Sequence, residues 1–303
     1  MCDIWRANKN MQELEPKLIE RHVKALEELG VRWIVLSGGE ALMHSNLRNL
    51  CESLGALNAR TTLLSTGLLL ERDAELVSEH INDVIVSLDG SEAVHDRIRN
   101  IPRAFEKLER GVRALRSVAP AIEIGARCVL QRENYRDVIG IVQAAKTLGL
   151  DWVSFLAADV SSHAFNRPDG WTNQKVEEVG LTLDQCADLE RILQQSFVSL
   201  KEELESGYVV ESPGKLLRIV NYYRALHGDA EFPEQRCNAP WVSAVVEPDG
   251  RVLPCYFHAA YGNLNDATLT DILNSPSAIE FRRRLDVNQD PICKRCVCTL
   301  NFQ

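Results

Sequence analysis

The stretch Trp33-Ile34-Val35-Leu36-Ser37-Gly38-Gly39-Glu40 joins a short apolar run to a small, polar exit. Four apolar, partly β-branched residues in a row are typical of a buried strand. The same kind of burst recurs at Thr62–Leu64, Val84–Leu88, Ile122–Leu130 and Trp152–Leu156. Amphipathic stretches of helical period lie between the bursts, at 15–29, 45–56, 70–80, 102–117 and 134–148. A strand every ~22 to 38 residues leaves room for right-handed crossovers. The sequence therefore predicts an α/β fold with a parallel sheet, doubly wound or barrel-like.

Small and polar residues follow three of these strands in succession. They are Ser37-Gly38-Gly39-Glu40, Ser65-Thr66-Gly67 and Ser87-Leu88-Asp89-Gly90, while Arg127 lies inside the fourth burst. The carboxyl ends of parallel strands meet at one rim, which is where such folds bind ligands. One such exit is explained by turn formation alone, but three in series favour a binding site at this rim.

The cysteines are concentrated near the end of the chain. Five of the nine are Cys237, Cys255, Cys293, Cys296 and Cys298, whereas Cys51, Cys128 and Cys186 are isolated and read as ordinary buried thiols. The pattern Val242–Glu247, Pro248-Asp249-Gly250, Arg251–Leu253 predicts a hairpin that brings Cys237 near Cys255. A helix near 268–285 then leads to Cys293 and Cys296. Two thiolate pairs suit a structural zinc or an iron–sulfur cluster, and spacing alone does not separate the two.

Composition narrows the classes of partner. The 303 residues carry 34 basic and 43 acidic side chains, a net charge of −9 that argues against a nucleic-acid-binding surface. We find no apolar run of about 18 residues, no lipidation motif and no secretory signal. Nine cysteines without such a signal fit a reducing compartment, so we expect a cytoplasmic protein with free thiols.

These parts together resemble the radical S-adenosylmethionine (radical SAM) enzymes. The resemblance rests on Met1-Cys2-Asp3-Ile4-Trp5-Arg6, on Ser37-Gly38-Gly39-Glu40, and on Val86-Ser87-Leu88-Asp89-Gly90 followed by His95-Asp96-Arg97. Cys2 matches the third cysteine of the family's CxxxCxxC loop, which holds a [4Fe–4S] cluster. Cys237, Gly250 and Cys255 are similar to the opening of the auxiliary-cluster extension called SPASM. With Cys293 and Cys296 they complete the four-cysteine set of its shorter form, twitch, with Cys298 as an alternative ligand.

The resemblance implies roles for several residues. Gly38, Gly39 and Glu40 would contact the methionine end of S-adenosylmethionine, and Ser65, Ser87 and Arg127 its remaining polar groups. The metal ligands would be Cys2, Cys237, Cys255, Cys293 and Cys296. The implied activity is reductive cleavage of S-adenosylmethionine to a 5′-deoxyadenosyl radical that abstracts hydrogen from a peptide or small molecule. An auxiliary [4Fe–4S] cluster would accept an electron, and a flavodoxin or ferredoxin would donate one.

The resemblance also implies a fold and a division of the chain. We expect a partial six-stranded (β/α) TIM-like barrel at 1–160, a helical connecting region at 161–234, and a small α+β twitch/SPASM domain at 235–303. The first barrel strand and the first two cysteines of CxxxCxxC are missing before Cys2. A cluster with one open iron needs three thiolates, so we expect the chain as given to be truncated and inactive.

Two other classes stay open at this point. A non-catalytic α/β binding protein stabilised by zinc or a cluster would contain the same cysteines. A tRNA-modifying enzyme of the same superfamily is disfavoured by the acidic balance. Peptide modification, sugar or cyclitol oxidation and cofactor biosynthesis are all compatible with the sequence.

Overall fold

The protein is described by a computed structural model, which covers residues 12–164, 167 and 169–302. Five parallel strands form the main sheet in the order β1-β2-β3-β4-β5. Their bounds are β1 Trp33–Leu36, β2 Arg60–Ser65, β3 Asp83–Ser87, β4 Glu123–Leu130 and β5 Trp152–Ala157. All five strands predicted from the apolar bursts are present, within two residues at either end. The predicted α/β fold with a parallel sheet is therefore confirmed.

Helices connect the strands and cover the outer face of the sheet. They are α1 Pro16–Glu20, α2 Val23–Glu28, α3 Leu47–Gly55, α4 Leu70–His80, α5 Glu92–Arg99, α6 Ala104–Val118 and α7 Val138–Thr147. The side chains of Leu63, Val84 and Ile124 are fully buried on this outer face. Their burial, about 1.5–3 kcal/mol for each such side chain, stabilises the sheet against the helices.

The segment predicted to be helical and polar is helical. A loop between two of its helices also covers the free edge of β5, the last strand of the main sheet. It contains α8 Asn173–Val179, α9 Leu183–Ser199, α10 Lys201–Glu205 and α11 Pro213–Leu226. Between α10 and α11, Val209 makes a parallel bridge to Val153 of β5. Glu211 then accepts a hydrogen bond from the Phe155 amide at 2.7 Å. The free edge of β5 is thus paired for one residue and covered by a carboxylate at the next exposed amide.

The inner face of the sheet carries a chain of polar contacts near the amino ends of the strands. Trp33 donates to Thr62 at 2.7 Å, and Thr62 donates to Asp83 at 3.0 Å. Arg60 bridges Asp83 at 2.6 Å and Glu123 at 3.0 Å. The Glu123 carboxylate also accepts from the Trp152 indole at 2.7 Å. We call these six residues the floor network; it links all five strands at the end opposite the polar exits.

The C-terminal part is small and built around a second sheet. It contains α12 Ala239–Val242, β6 Val245–Val246, β7 Arg251–Leu253, β8 Gly262–Asn263, α13 Leu269–Leu273 and α14 Pro276–Arg284. The antiparallel pairing of Val245 with Leu253 and of Val246 with Val252 confirms the predicted hairpin. The unpredicted β8 extends it on the other side of β7. Gly250 closes the turn with φ 84°, a conformation that favours glycine.

None of the helices in the described ranges combines the length and the apolar character that a membrane span requires.

Candidate functional site

The strand exits predicted to form a site are joined by the side chain of Glu40. Its carboxylate accepts from the Leu42 amide at 3.2 Å, from the Ser65 hydroxyl at 3.0 Å and from the Thr66 amide at 2.7 Å. The Thr66 hydroxyl is a fourth donor. Four donors match the four lone-pair positions of a carboxylate. Glu40 therefore fixes the exit of β1 against the exit of β2.

Ser65 is used in the same contact. Its buried hydroxyl donates to Glu40 and accepts from the Gly67 amide at 3.0 Å. The structure brings the predicted residues Glu40 and Ser65 together, but as partners of each other. A direct contact of Ser65 with a cofactor stays a prediction.

The glycines before Glu40 leave open space at the rim. Gly38 has φ 148°, and a Cβ atom placed on it would meet no atom within 4 Å. Both Gly38 and Gly39 are exposed. A ligand can therefore approach the backbone at Gly38 without meeting a side chain.

Ser87 and Arg127 lie side by side on β3 and β4. Their Cα atoms are register partners across the two strands, and Ser154 of β5 is the next partner along. Arg127 donates from Nε to the Ser154 hydroxyl at 3.2 Å. Within the described residues its guanidinium pairs with no carboxylate, and the Ser87 hydroxyl makes no hydrogen bond. An unpaired guanidinium beside a free hydroxyl suits a ligand carboxylate or ribose.

Arg127 also acts on two groups that the sequence analysis did not assign to the rim. Burial raises the pKa of Glu211, and the charge of Arg127 partly offsets this. The protein around the Cys298 thiol raises its pKa by desolvation, although the residue as a whole is exposed, and Arg127 again lowers it. A cavity of about 480 Å³ borders Arg127 and is lined further by Trp152, Ser154 and residues 206–208. The sequence signal for Glu211 was absent, because it lies in a loop without motif.

The C-terminal cysteines converge over this rim. Burial raises the pKa of Cys255, Cys293, Cys296 and Cys298, and each lies close enough to Cys237 for a negative charge there to raise it further. Burial and neighbouring negative charge raise the pKa of Cys293 to about 12. All five cysteines are free thiols. A cation or a cationic cluster core at their centre would relieve this mutual repulsion.

Hydrogen bonds fasten the Cys237 segment to the Cys293–Cys298 segment. Gln235 donates to the Cys296 carbonyl at 3.2 Å and lies among the buried residues. Asn238 donates from its backbone to the Leu300 carbonyl at 2.7 Å and exchanges side-chain hydrogen bonds with the Phe302 backbone. The predicted ligands Cys237 and Cys296 are therefore held in neighbouring, mutually bonded stretches.

Two contacts join this cysteine cluster to the strand exits. Tyr256, which follows Cys255, hydrogen-bonds the Ser37 side chain; burial raises the pKa of its phenol and this contact lowers it. Cys298 lies close enough to Arg127 for their charges to interact. The candidate metal centre and the candidate cofactor rim thus face each other. Cys2, the other predicted metal ligand, lies outside the described residues.

The spacing of the thiols bears on which group they fit. Among the residues described, the group of three metal-binding side chains whose ligand atoms all lie within 4.8 Å of one another is His258, Asp290 and Cys293. No three cysteine sulfurs in those ranges are that close. Four thiolates on one zinc ion would lie about 3.8 Å apart, given Zn–S bonds of about 2.3 Å. No three of the thiols in the described ranges are therefore as close as a single zinc ion requires, and four thiolates are a ligand set that an iron–sulfur cluster also uses.

His258 is a residue of this centre that the sequence analysis missed. It is buried, and its Nε2 lies 3.2 Å from the Cys293 sulfur. Burial lowers the pKa of its imidazole, and the nearby Asp290 raises it. Its position three residues after Cys255 was the signal available in the sequence.

A parallel α/β sheet with a polar rim, facing a cysteine cluster, is the architecture of an iron–sulfur protein. Residues 1–145 match the model of the radical SAM superfamily, and residues 237–297 match the model of SPASM, an iron–sulfur cluster-binding domain. A radical SAM domain and a SPASM domain are thus detected in this chain. The predicted cofactor classes, iron–sulfur clusters and S-adenosylmethionine, are confirmed by these matches.

Two kinds of relative are similar to the chain in sequence. A PqqA peptide cyclase from Gluconobacter oxydans is 26% identical over 279 residues, covering 89% of this chain and 70% of the relative. An Fe-coproporphyrin III synthase from Methanosarcina barkeri is 29% identical over 317 residues, covering 96% and 77%. The chain spans 60% of a second PqqA peptide cyclase, from Bradyrhizobium diazoefficiens, with 24% identity. The activities in these names are those of the relatives.

Solved structures share the fold. Native anSMEcpe with bound AdoMet superposes with a TM-score of 0.66 at 20% identity, covering 93% of this chain and 81% of that one. Streptococcus suis SuiB bound to the precursor peptide SuiA gives a TM-score of 0.60 at 14% identity, covering 94% and 64%. At these identities the likeness concerns the fold.

Proposed function

We propose that the protein serves a radical SAM oxidoreductase reaction in which a 5′-deoxyadenosyl radical from S-adenosylmethionine abstracts hydrogen from a peptide, with an auxiliary [4Fe–4S] cluster as electron acceptor. The observation that carries the proposal is the convergence of the four thiols of Cys237, Cys255, Cys293 and Cys296 above the rim that holds Arg127. A peptide is the substrate class we take first because PqqA peptide cyclases recur among the relatives in sequence. The Fe-coproporphyrin III synthase keeps a small-molecule substrate as the alternative.

The chain's own residues would bind and orient the cofactor. Gly38 and Gly39 offer exposed backbone to the methionine end, with Glu40 keeping their exit fixed against β2. Arg127 would hold the carboxylate in a bidentate pair, and Ser87 would bond a neighbouring hydroxyl. Placing the reacting groups and excluding water is the protein's share of this chemistry.

Four thiolates would hold the auxiliary cluster. A cluster with a cysteine on every iron has no coordination site for substrate, which favours electron transfer over substrate anchoring. An external donor such as a flavodoxin or ferredoxin would supply the electron for the first step. A reducing compartment, the cytoplasm, is part of this proposal because free thiols and clusters persist there.

The division of the chain is proposed on the same basis. A radical SAM core at 1–160, a helical connector at 161–234 and a cluster domain of the shorter twitch type at 235–303 agree with the positions of the two sheets and of α8–α11.

Metal analysis after anaerobic reconstitution tests the cluster. The wild-type chain should bind about four iron and four sulfide ions at the C-terminal cysteines. Cys255→Ser and Cys296→Ser should each lose most of this iron. Cys51→Ala is the matched control, because this buried thiol in α3 is distant in sequence from the C-terminal cysteines, and the variant should retain its iron. Zinc without sulfide in the wild-type chain would instead support a zinc-stabilised binding protein.

Cofactor binding is tested separately at the rim. Arg127→Ala should weaken S-adenosylmethionine binding by about tenfold or more in equilibrium dialysis, because a charge-assisted bidentate pair is lost. Arg113→Ala, which removes an exposed guanidinium from α6, should leave binding unchanged. Equal affinities of the Arg127 and Arg113 variants would remove Arg127 from the site.

A further inference from the structure

His258 lies between the two halves of the proposed ligand set. Its ring is buried, with 7% of the residue exposed. It meets the Phe281 ring edge-on, with centroids 5.0 Å apart and planes at 67°. The packing fixes the ring plane, so the direction of its nitrogen atoms is set by the fold.

The residue contacts a cysteine on each side. The imidazole Nε2 is 3.2 Å from the Cys293 sulfur. The backbone amides of Phe257 and His258 bond the Cys255 sulfur and lower the pKa of that thiol against the effect of burial. His258 thus contacts both Cys255, which follows the hairpin, and Cys293 of the Cys293-x-x-Cys296 pair.

The surroundings of Nε2 assign it as a hydrogen-bond donor. The second nearby group is the Asp290 carboxylate, whose Oδ1 lies 3.9 Å from Nε2. That oxygen already accepts the amides of Ile292 and Cys293, each at 2.9 Å. Sulfur and carboxylate are both acceptors, so the tautomer with the proton on Nε2 is the one that this environment favours.

We propose that His258 is a positioning residue of the auxiliary cluster, whose Nε2–H donates a hydrogen bond to the Cys293 sulfur and raises the reduction potential of that cluster. The proposal rests on the proposed function, since it takes Cys293 as a cluster ligand. A donor at a thiolate sulfur stabilises the more electron-rich state, and hydrogen bonds to sulfur are among the factors that set such potentials. A raised potential suits a cluster that accepts an electron from a substrate radical.

The test compares potentials of the auxiliary cluster in the full reconstituted chain. His258→Leu removes the donor, whereas His258→Gln keeps an N–H group near the Nε2 position. His80→Leu, at the half-buried last residue of α4, is the control. Redox titration followed by electron paramagnetic resonance gives the midpoint potential, and iron and sulfide analysis confirms that each variant holds its cluster.

We expect the midpoint potential of the auxiliary cluster to be more negative in His258→Leu than in the wild type. The expected shift is about 59 mV for one electron, which corresponds to a tenfold change in the ratio of reduced to oxidised cluster. His258→Gln should recover most of the shift, and His80→Leu should show none. A cluster-loaded His258→Leu protein with the wild-type midpoint would overturn the proposal while leaving the cysteine ligand set intact.

Two further results would also overturn it. Strong nitrogen hyperfine coupling that disappears in His258→Leu would mean that the imidazole ligates iron directly. A wild-type chain without iron and sulfide would overturn the proposed cluster site itself, and the position of His258 would then have no bearing on a potential.

Discussion

Replacing Glu40 by glutamine should destabilise the fold, because this side chain joins two strand exits. The four donors that converge on the carboxylate are two backbone amides and two hydroxyls. An amide offers one oxygen and one NH₂ group, so one backbone amide would face another donor, whereas the hydroxyl beside it can turn to accept. Losing that hydrogen bond to an ionised acceptor costs about 1.5 kcal/mol. The lower end of the range applies because Glu40 is half-buried.

Urea unfolding followed by circular dichroism measures this change. The matched control is Glu79→Gln, which removes an exposed ion pair with Arg48 and should cost less than about 1 kcal/mol. Thr66→Val removes one of the donors and should cost about 1 kcal/mol in the wild-type background. In the Glu40→Gln background that cost should be smaller, because the partner of the hydroxyl is no longer ionised, which gives a measurable coupling.

The outcome that contradicts this reasoning is specific. If Glu40→Gln and Glu79→Gln unfolded at the same urea concentration, the carboxylate would not fasten β1 to β2. Its importance would then have to come from a ligand alone.

Three further changes test other parts of the sheet. Gly125→Ala should lower the free energy of unfolding by about 3 kcal/mol, because the new Cβ would lie 2.1 Å from the Trp152 indole. The control is Gly55→Ala, whose Cβ would meet no atom within 4 Å. This variant should be as stable as the wild type, or slightly more stable, in the same unfolding assay. Burial raises the pKa of Glu211 above 4.5, so the wild type loses stability as pH rises through that folded-state pKa. Glu211→Gln should therefore gain unfolding free energy relative to wild type as pH rises above about 4.5, and a difference that stays constant with pH would refute the buried charge. Asn134→Ala leaves one buried amide and two buried carbonyls without their partner and should cost about 3 kcal/mol, measured by thermal unfolding.

The strands were predictable because their signal is local. Strands such as the one within Val84–Leu88 are buried on one or both faces of the sheet. A short apolar run rich in β-branched residues therefore indicates such a strand without any knowledge of the rest of the fold. Helix α5 was not predicted, since it carries few apolar residues. It is set off from α6 by Asn100 and Arg103 in left-handed conformations, with φ of 52° and 55°. Asparagine is enriched in this conformation but arginine is not, so the sequence signal for the turn was weak.

The sequence singled out candidate residues at the rim but not the contacts between them. The glycine-rich exit was chosen from its place after the first strand, and Arg127 from its place inside the fourth apolar burst. That Glu40 would bond Ser65 depends on two exits meeting across the sheet, which no local pattern encodes. His258 and Glu211 escaped for the same reason, because their roles come from what the fold places beside them.

The floor network gives the sheet two ends of different stiffness. Ion pairs and indole hydrogen bonds set the spacing of all five strands at their amino ends, from Trp33 across to Trp152. Nearer the carboxyl ends, the side-chain contacts among the described residues join separate pairs of strands: Glu40 joins β1 to β2, Asn134 joins β3 to β4, and Arg127 joins β4 to β5. Amides next to Asp83 should then exchange with solvent more slowly than those at the strand exits. A ligand at the rim would then contact the end of the sheet at which the strands can separate slightly, while the floor network keeps their spacing fixed at the opposite end.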